Sequence, residues 1–81
     1  MMARVTLLYF ASLRDAAGAA SEPLETAAPD LVALYAEAQA RHGFALPVER
    51  LRVAVDGAFA DWRDAVRDGS EVAFIPPVSG G

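Results

Sequence analysis

At 81 residues the chain has room for one small domain. Although 54% of it is apolar, 18 of those residues are alanine, which leaves too little bulk to wall a deep pocket. The absence of cysteine and the single histidine, His42, exclude disulfide staples, thiol nucleophiles and multi-histidine metal sites, and a net charge of −4 without a basic run argues against nucleic acid.

Arg4 to Ala11, RVTLLYFA, is apolar on both alternating sets, with Val5, Leu7 and Tyr9 on one and Leu8 and Phe10 on the other. That pattern predicts a strand covered on both faces. The next stretch, ASLRDAAGAAS, loses periodicity and contains Gly18, so it reads as a connecting loop. Glu22 to Ala27 fits a second, edge-type strand, with Pro23 confined to its start. From Asp30 the period changes. Leu31, Leu34, Tyr35 and Ala38 follow the i, i+3, i+4, i+7 spacing of one helical face and predict a helix over 30–42. Pro29 suits its first position, Asp30 caps or charges its start, and Gly43 sits where a left-handed terminator belongs.

Leu46 to Glu49, with Pro47, reads as a crossing loop. Leu51, Val53 and Val55 alternate with Arg52, Ala54 and Asp56 as a half-buried strand. Asp56-Gly57 is a two-residue hairpin signal, because both turn positions want positive φ, and Ala58 to Ala60 is the short return strand. Asp68-Gly69 marks a turn before a last strand, Glu71 to Ile75, which Pro76-Pro77 stops because neither residue donates to a ladder. The expected fold is α+β: a mixed sheet of four to five strands with one main helix on one face, spanning 1–77, followed by a tail at 78–81. One helix covers one face. The opposite face is therefore partly exposed, or a partner covers it.

No independent active site is visible in the residues. Asp61, Asp64 and Asp68 fall in a turn-rich segment without a base or ligand set and read as a solvated acidic face. His42, near a helix end, reads as a capping or dipole residue. No apolar stretch approaches the ~18 residues of a membrane helix, and the N-terminus lacks a signal-peptide pattern, so a cytoplasmic protein with neither membrane nor nucleic-acid partner is expected. The tail Val78-Ser79-Gly80-Gly81 is different. Two prolines lift it off the sheet, and two glycines leave no Cβ beside the final carboxylate, so it can enter a narrow tunnel. That carboxylate, with an ordinary pKa near ~3.5, is a poor electrophile until activated, for example by adenylation. A frayed glycine-rich terminus is the plain alternative.

The block EVAFIPPVSGG at 71–81 resembles the C-terminal signature of the small subunit of molybdopterin synthase, among the ubiquitin-like β-grasp sulfur carriers. VTLLYFASLRDAAG at 5–18, the helix, VAVDGAF at 53–59 and the Asp68-Gly69 turn agree in order and spacing, so the resemblance covers nearly the whole chain. The related thiamin-pathway carrier also ends in Gly-Gly, but is usually shorter and lacks the Pro-Pro-Val-Ser run.

The resemblance implies a β-grasp fold and a two-stage role. An E1-like adenylyltransferase converts the Gly81 carboxylate to an acyl-adenylate with ATP, and a sulfur donor protein replaces AMP to leave a thiocarboxylate. Val78, Ser79 and Gly80 then carry it into the large subunit of molybdopterin synthase, within a heterotetramer, where sulfur passes to the cyclic pyranopterin precursor. On that reading this chain is a sulfur-donor subunit that binds no cofactor, ATP being used by the adenylyltransferase, and the acid–base residues belong to the large subunit. The family places its docking surface on the sheet face away from the helix. Carried over, that surface includes Phe10, Phe59 and Ile75, with Arg14 at its rim. Ordinary core packing is the plain reading for Phe10 and Phe59; Phe74 is assigned to the core, and Trp62 stays open between core and surface. Two further functions stay open: a ubiquitin-like modifier conjugated through Gly81, and a sulfur carrier for thiamin or cysteine synthesis.

Overall fold

The alternation in the first apolar run sorts its side chains cleanly. Strand β1 spans Ala3–Tyr9, with Val5, Leu7 and Tyr9 buried while Thr6 and Leu8 turn to the other face. The structure, a computed structural model, describes residues 2–77.

The stretch expected to be a loop is a helix. α1 spans Ala11–Ala17 and ends at Gly18, whose φ of 74° lets its N–H reach the Arg14 carbonyl. Its periodicity is invisible because seven residues supply a single buried anchor, Leu13, with Ala17 packed beside it four residues on. Alanine-rich composition, which favours helix without marking a face, does the rest. Strand β2 spans Ser21–Thr26, so Pro23 lies inside it rather than at its start. β2 is an edge strand, where a missing N–H costs no ladder bond.

Helix α2 runs Leu31–His42 and buries Leu34, Tyr35 and Ala38 in one stripe. Asp30 is its N-cap, its carboxylate accepting from the Ala33 N–H at 2.9 Å, so Pro29 stands before the cap and not at the first helical position. Gly43, with φ 70°, closes the other end. The crossing segment is not wholly irregular, since Val48–Arg50 makes one 3-10 turn. It is tied down by the Tyr35 hydroxyl, which donates to the Leu46 carbonyl at 2.6 Å.

Strands β3 (Arg52–Val55) and β4 (Ala58–Ala60) form the expected hairpin, with φ 51° at Asp56 and 86° at Gly57. β5 spans Glu71–Ile75. The five strands lie in the order β2-β1-β5-β3-β4, with β1 and β5 parallel and the remaining neighbours antiparallel. β5, last in the chain, is thus central in the sheet.

The core lies between the sheet and α2, where Leu7, Tyr9, Leu34, Tyr35, Val53, Val72 and Phe74 are all almost fully buried. Each large side chain there contributes about 1.5–3 kcal/mol of burial. Phe74 is in the core as expected. Trp62 joins it, stacked on Phe74 with centroids 6.0 Å apart and edge-on to Tyr35 at 5.9 Å. Among the described residues no helix is long and apolar enough to cross a membrane.

Candidate functional site

The register builds a second apolar surface on the face away from α2. Leu8 of β1 is paired with Ala73 of β5, Ala73 with Ala54 of β3, and Ala54 with Phe59 of β4. These four form one row across four strands. One step further along, Ile75 is paired with Arg52, and Phe10 continues β1 beside them. The two alanines make a floor and the larger residues make walls. The result is a recess of about 290 Å³ lined by Leu8, Phe10, Ala54, Phe59, Ala73 and Ile75, with Gly57 and Glu71 at its margin.

Phe59 is 70% exposed and Phe10 46%, whereas Phe44 and Phe74 are buried. Three residues carried over from the family resemblance, Phe10, Phe59 and Ile75, therefore meet at one recess. Arg14 does not line it; it lies on α1, exposed. Sequence reasoning missed Leu8, Ala54 and Ala73. Leu8 is plainly apolar in the sequence, but only strand pairing shows that two unremarkable alanines create the hollow. Phe10 is turned outward where the backbone breaks from β1, with the next residue, Ala11, at φ 51°. Phe59 is partnered by Arg52, whose guanidinium carbon lies 5.6 Å from the ring centroid.

The chain leaves the sheet beside this recess. Pro76 and Pro77, with Ile75 and Phe59, border an adjoining hollow of about 380 Å³ that also contacts Glu49, Arg50, Leu51 and Arg52. Val78, Ser79, Gly80 and Gly81 lie outside the described residues.

The acidic residues are local scaffolding. Asp61 accepts the Arg63 N–H at 2.8 Å, Asp64 the Asp61 N–H, and Asp68 the Arg4 N–H, and no group of metal-ligating side chains occurs among the described residues. Glu22 is the exception. Its carboxylate accepts from the Tyr9 hydroxyl at 2.6 Å, from Arg41 Nη2 at 2.9 Å and from His42 Nε2 at 2.8 Å. His42 lies in the last turn of α2, the helix-end position expected of it, and from there it also clamps α2 to β2 through Glu22.

Burial alone would push the Glu22 carboxyl up, but the hydrogen bonds from His42, Tyr9 and Arg41 outweigh it and hold the group at about 2, below its ordinary 4.5. The folded-state value is depressed, so this stabilisation is present above pH 4.5 and lost as pH falls toward 2. Thermal melts over that window are expected to show the loss. Glu22→Gln is expected to cost about 1–3 kcal/mol at neutral pH and to flatten that acid limb. An unchanged acid limb in the variant would assign it to other carboxylates.

The model of the ThiS family matches residues 7–81. The chain belongs to the ThiS family. The molybdopterin synthase sulfur carrier subunit of Escherichia coli K12 is 34% identical to this ThiS-family chain over 80 residues, covering 95% of it and 99% of the relative. The solution structure of small archaeal modifier protein 1 from Methanosarcina acetivorans superposes with a TM-score of 0.81 at 21% identity, over 100% of this chain and 99% of that one. At that identity the likeness concerns the fold, which is the ubiquitin-like β-grasp. A complex of subunits 1 and 2 of molybdopterin-converting factor from Helicobacter pylori 26695 contains a chain 26% identical, with a TM-score of 0.63 and full coverage of both chains. The ThiS match extends through Gly81, so it takes in the tail as sequence.

Proposed function

We propose that this chain is the sulfur carrier subunit of a molybdopterin synthase. The observation that carries the reading is positional: an open apolar recess formed by Phe10, Phe59 and Ile75 adjoins the point where Pro76-Pro77 leads into Val78-Ser79-Gly80-Gly81. A surface that docks and a tail that reaches belong together in a carrier. The E. coli relative, matched over 99% of its length, supports the same reading.

In this scheme an E1-like adenylyltransferase joins the Gly81 carboxylate to AMP from ATP, releasing pyrophosphate. Sulfide-level sulfur handed over by a donor protein then displaces AMP to leave a terminal thiocarboxylate. The body then docks through its recess on the large synthase subunit, and the tail delivers sulfur to the cyclic pyranopterin precursor. The chain supplies reach and affinity, and the catalytic side chains belong to the large subunit. On this reading the chain holds no cofactor and works in the cytoplasm, where ATP is at hand for the activation. The converting-factor complex of H. pylori supports a two-subunit assembly.

Reconstitution tests this. Thiocarboxylated chain, large subunit and pterin precursor together are expected to form the dithiolene product, and the untreated carboxylate form is not. Absence of product with the thiocarboxylate would overturn the proposal. The fold shared with an archaeal modifier protein favours one second reading, conjugation through Gly81 to target lysines. Intact-mass analysis of chain from its own host separates the two: a species heavier by the sulfur–oxygen difference marks the carrier, and covalent adducts on other proteins mark the modifier.

A further inference from the structure

The arginines are not evenly satisfied. Arg4, Arg41 and Arg63 each hold a carboxylate, on Glu25, Glu22 and Asp61. Arg14, Arg50, Arg52 and Arg67 make no ion pair among the described residues, although the chain has eleven acidic side chains to seven basic ones. Of these four, Arg50 and Arg52 stand together. Both are exposed, and both line the hollow where the chain leaves the sheet. Their place follows from topology. β3 runs antiparallel to β5, so its first residue, Arg52, lies opposite the last residue of β5, Ile75. The 3-10 turn before β3 brings Arg50 to the same end, with Glu49 as the one acid lining that hollow.

Arg52 is also held in place. Its guanidinium lies over the Phe59 ring, which limits the rotamer freedom that pairing with a partner would otherwise remove. Burying Phe59 in an interface would take the neighbouring guanidinium partly out of water, where a carboxylate opposite it counts for more and an unpaired charge is costly. The charge on an overall acidic chain is therefore basic where an interface centred on the recess would reach the tail root. A nucleic-acid or membrane surface would need more than two adjacent positive groups.

We infer that Arg50 and Arg52 form a basic collar at the root of the tail, which docks on acidic side chains around the entrance by which the large synthase subunit takes in the tail. The inference rests on the proposed function. Arg52, stacked on Phe59, fixes the register of docking; Arg50 adds attraction at longer range and speeds encounter.

The test is association of the full-length chain with the large subunit, measured as rate and Kd at low and near-physiological ionic strength. Arg50→Ala/Arg52→Ala is expected to weaken binding about 10-fold at low salt, and Arg50→Glu/Arg52→Glu about 100-fold, mainly through slower association. Both deficits shrink as salt rises. Arg67→Ala, which removes another arginine without an ion pair but outside the recess and the exit hollow, is expected to stay within about 2-fold of the parent. Wild-type binding together with unchanged affinity in the charge-reversed variant, its melting curve intact, overturns the collar alone. Failure of the wild-type chain to bind the large subunit overturns the proposed function and the collar with it.

Discussion

Deleting Gly81 is expected to abolish sulfur transfer in the reconstituted reaction and to leave the melting temperature of the chain unchanged. A chain ending at Gly80 presents its carboxyl group one residue short, about 3.3–3.6 Å from where the activating and receiving sites expect it. Misplacement of a reacting group by about 1 Å already costs about 100-fold, so the deletion is expected to fall to background. The fold has no comparable stake. Among the described residues the core runs from Val5 to Phe74, and the paired strands lie between Ala3 and Ile75. Product formation and a thermal melt on the same preparation separate the two effects. Full activity in the deleted chain would remove Gly81 as the sulfur-bearing residue. Lost activity accompanied by a lowered melting temperature would instead point to a structural role for the tail.

The second large effect concerns the recess. Phe59→Asp is expected to weaken binding to the large subunit by more than about 100-fold, through an apolar anchor lost and a carboxylate left in a dehydrated contact. The free chain is expected to tolerate the change. Phe59 is 70% exposed on an edge strand, and its main intramolecular partner, Arg52, can accept a carboxylate in place of a ring. A shift in stability of no more than about 1 kcal/mol is expected, the range of surface substitutions that create neither a cavity nor a buried charge. Titration calorimetry against the large subunit and a denaturant melt measure both quantities. Unfolding of the variant would place Phe59 in the core, and wild-type affinity would move the docking surface elsewhere.

The sequence marks these two residues in different ways. Gly81 stood out because two glycines after two prolines are chemically unusual wherever they occur in space. Phe59 stood out only through family resemblance, since a phenylalanine after a tight turn fits a core as well as a surface. Local signals served the long elements. The Leu31, Leu34, Tyr35 and Ala38 stripe, the Asp30 cap, Gly43 and the Asp56-Gly57 turn each reflect backbone rules that act within a few residues. α1 escaped because one buried leucine among alanines gives no periodicity to detect. The Glu22 clamp escaped for another reason. Its partners Tyr9, Arg41 and His42 come from a strand and a helix end that only packing brings together.

By itself the sequence determined the strand and helix inventory outside α1 and the 3-10 turn at Val48–Arg50, the lack of cysteine and of any multi-histidine set, and the Gly-Gly tail after Pro76-Pro77. Those are properties of composition and short-range conformational preference. The tertiary structure decided which alternating set of each strand faces α2, and so which set remains open. It placed Leu8, Ala73, Ala54 and Phe59 in one row, and it set Arg50 and Arg52 beside the root of the tail. The physical reason is that β1 and β5 pair from opposite ends of the chain. Their register comes from packing Tyr9, Phe74 and Val53 side by side under α2, and a slip of one residue would turn the core face outward.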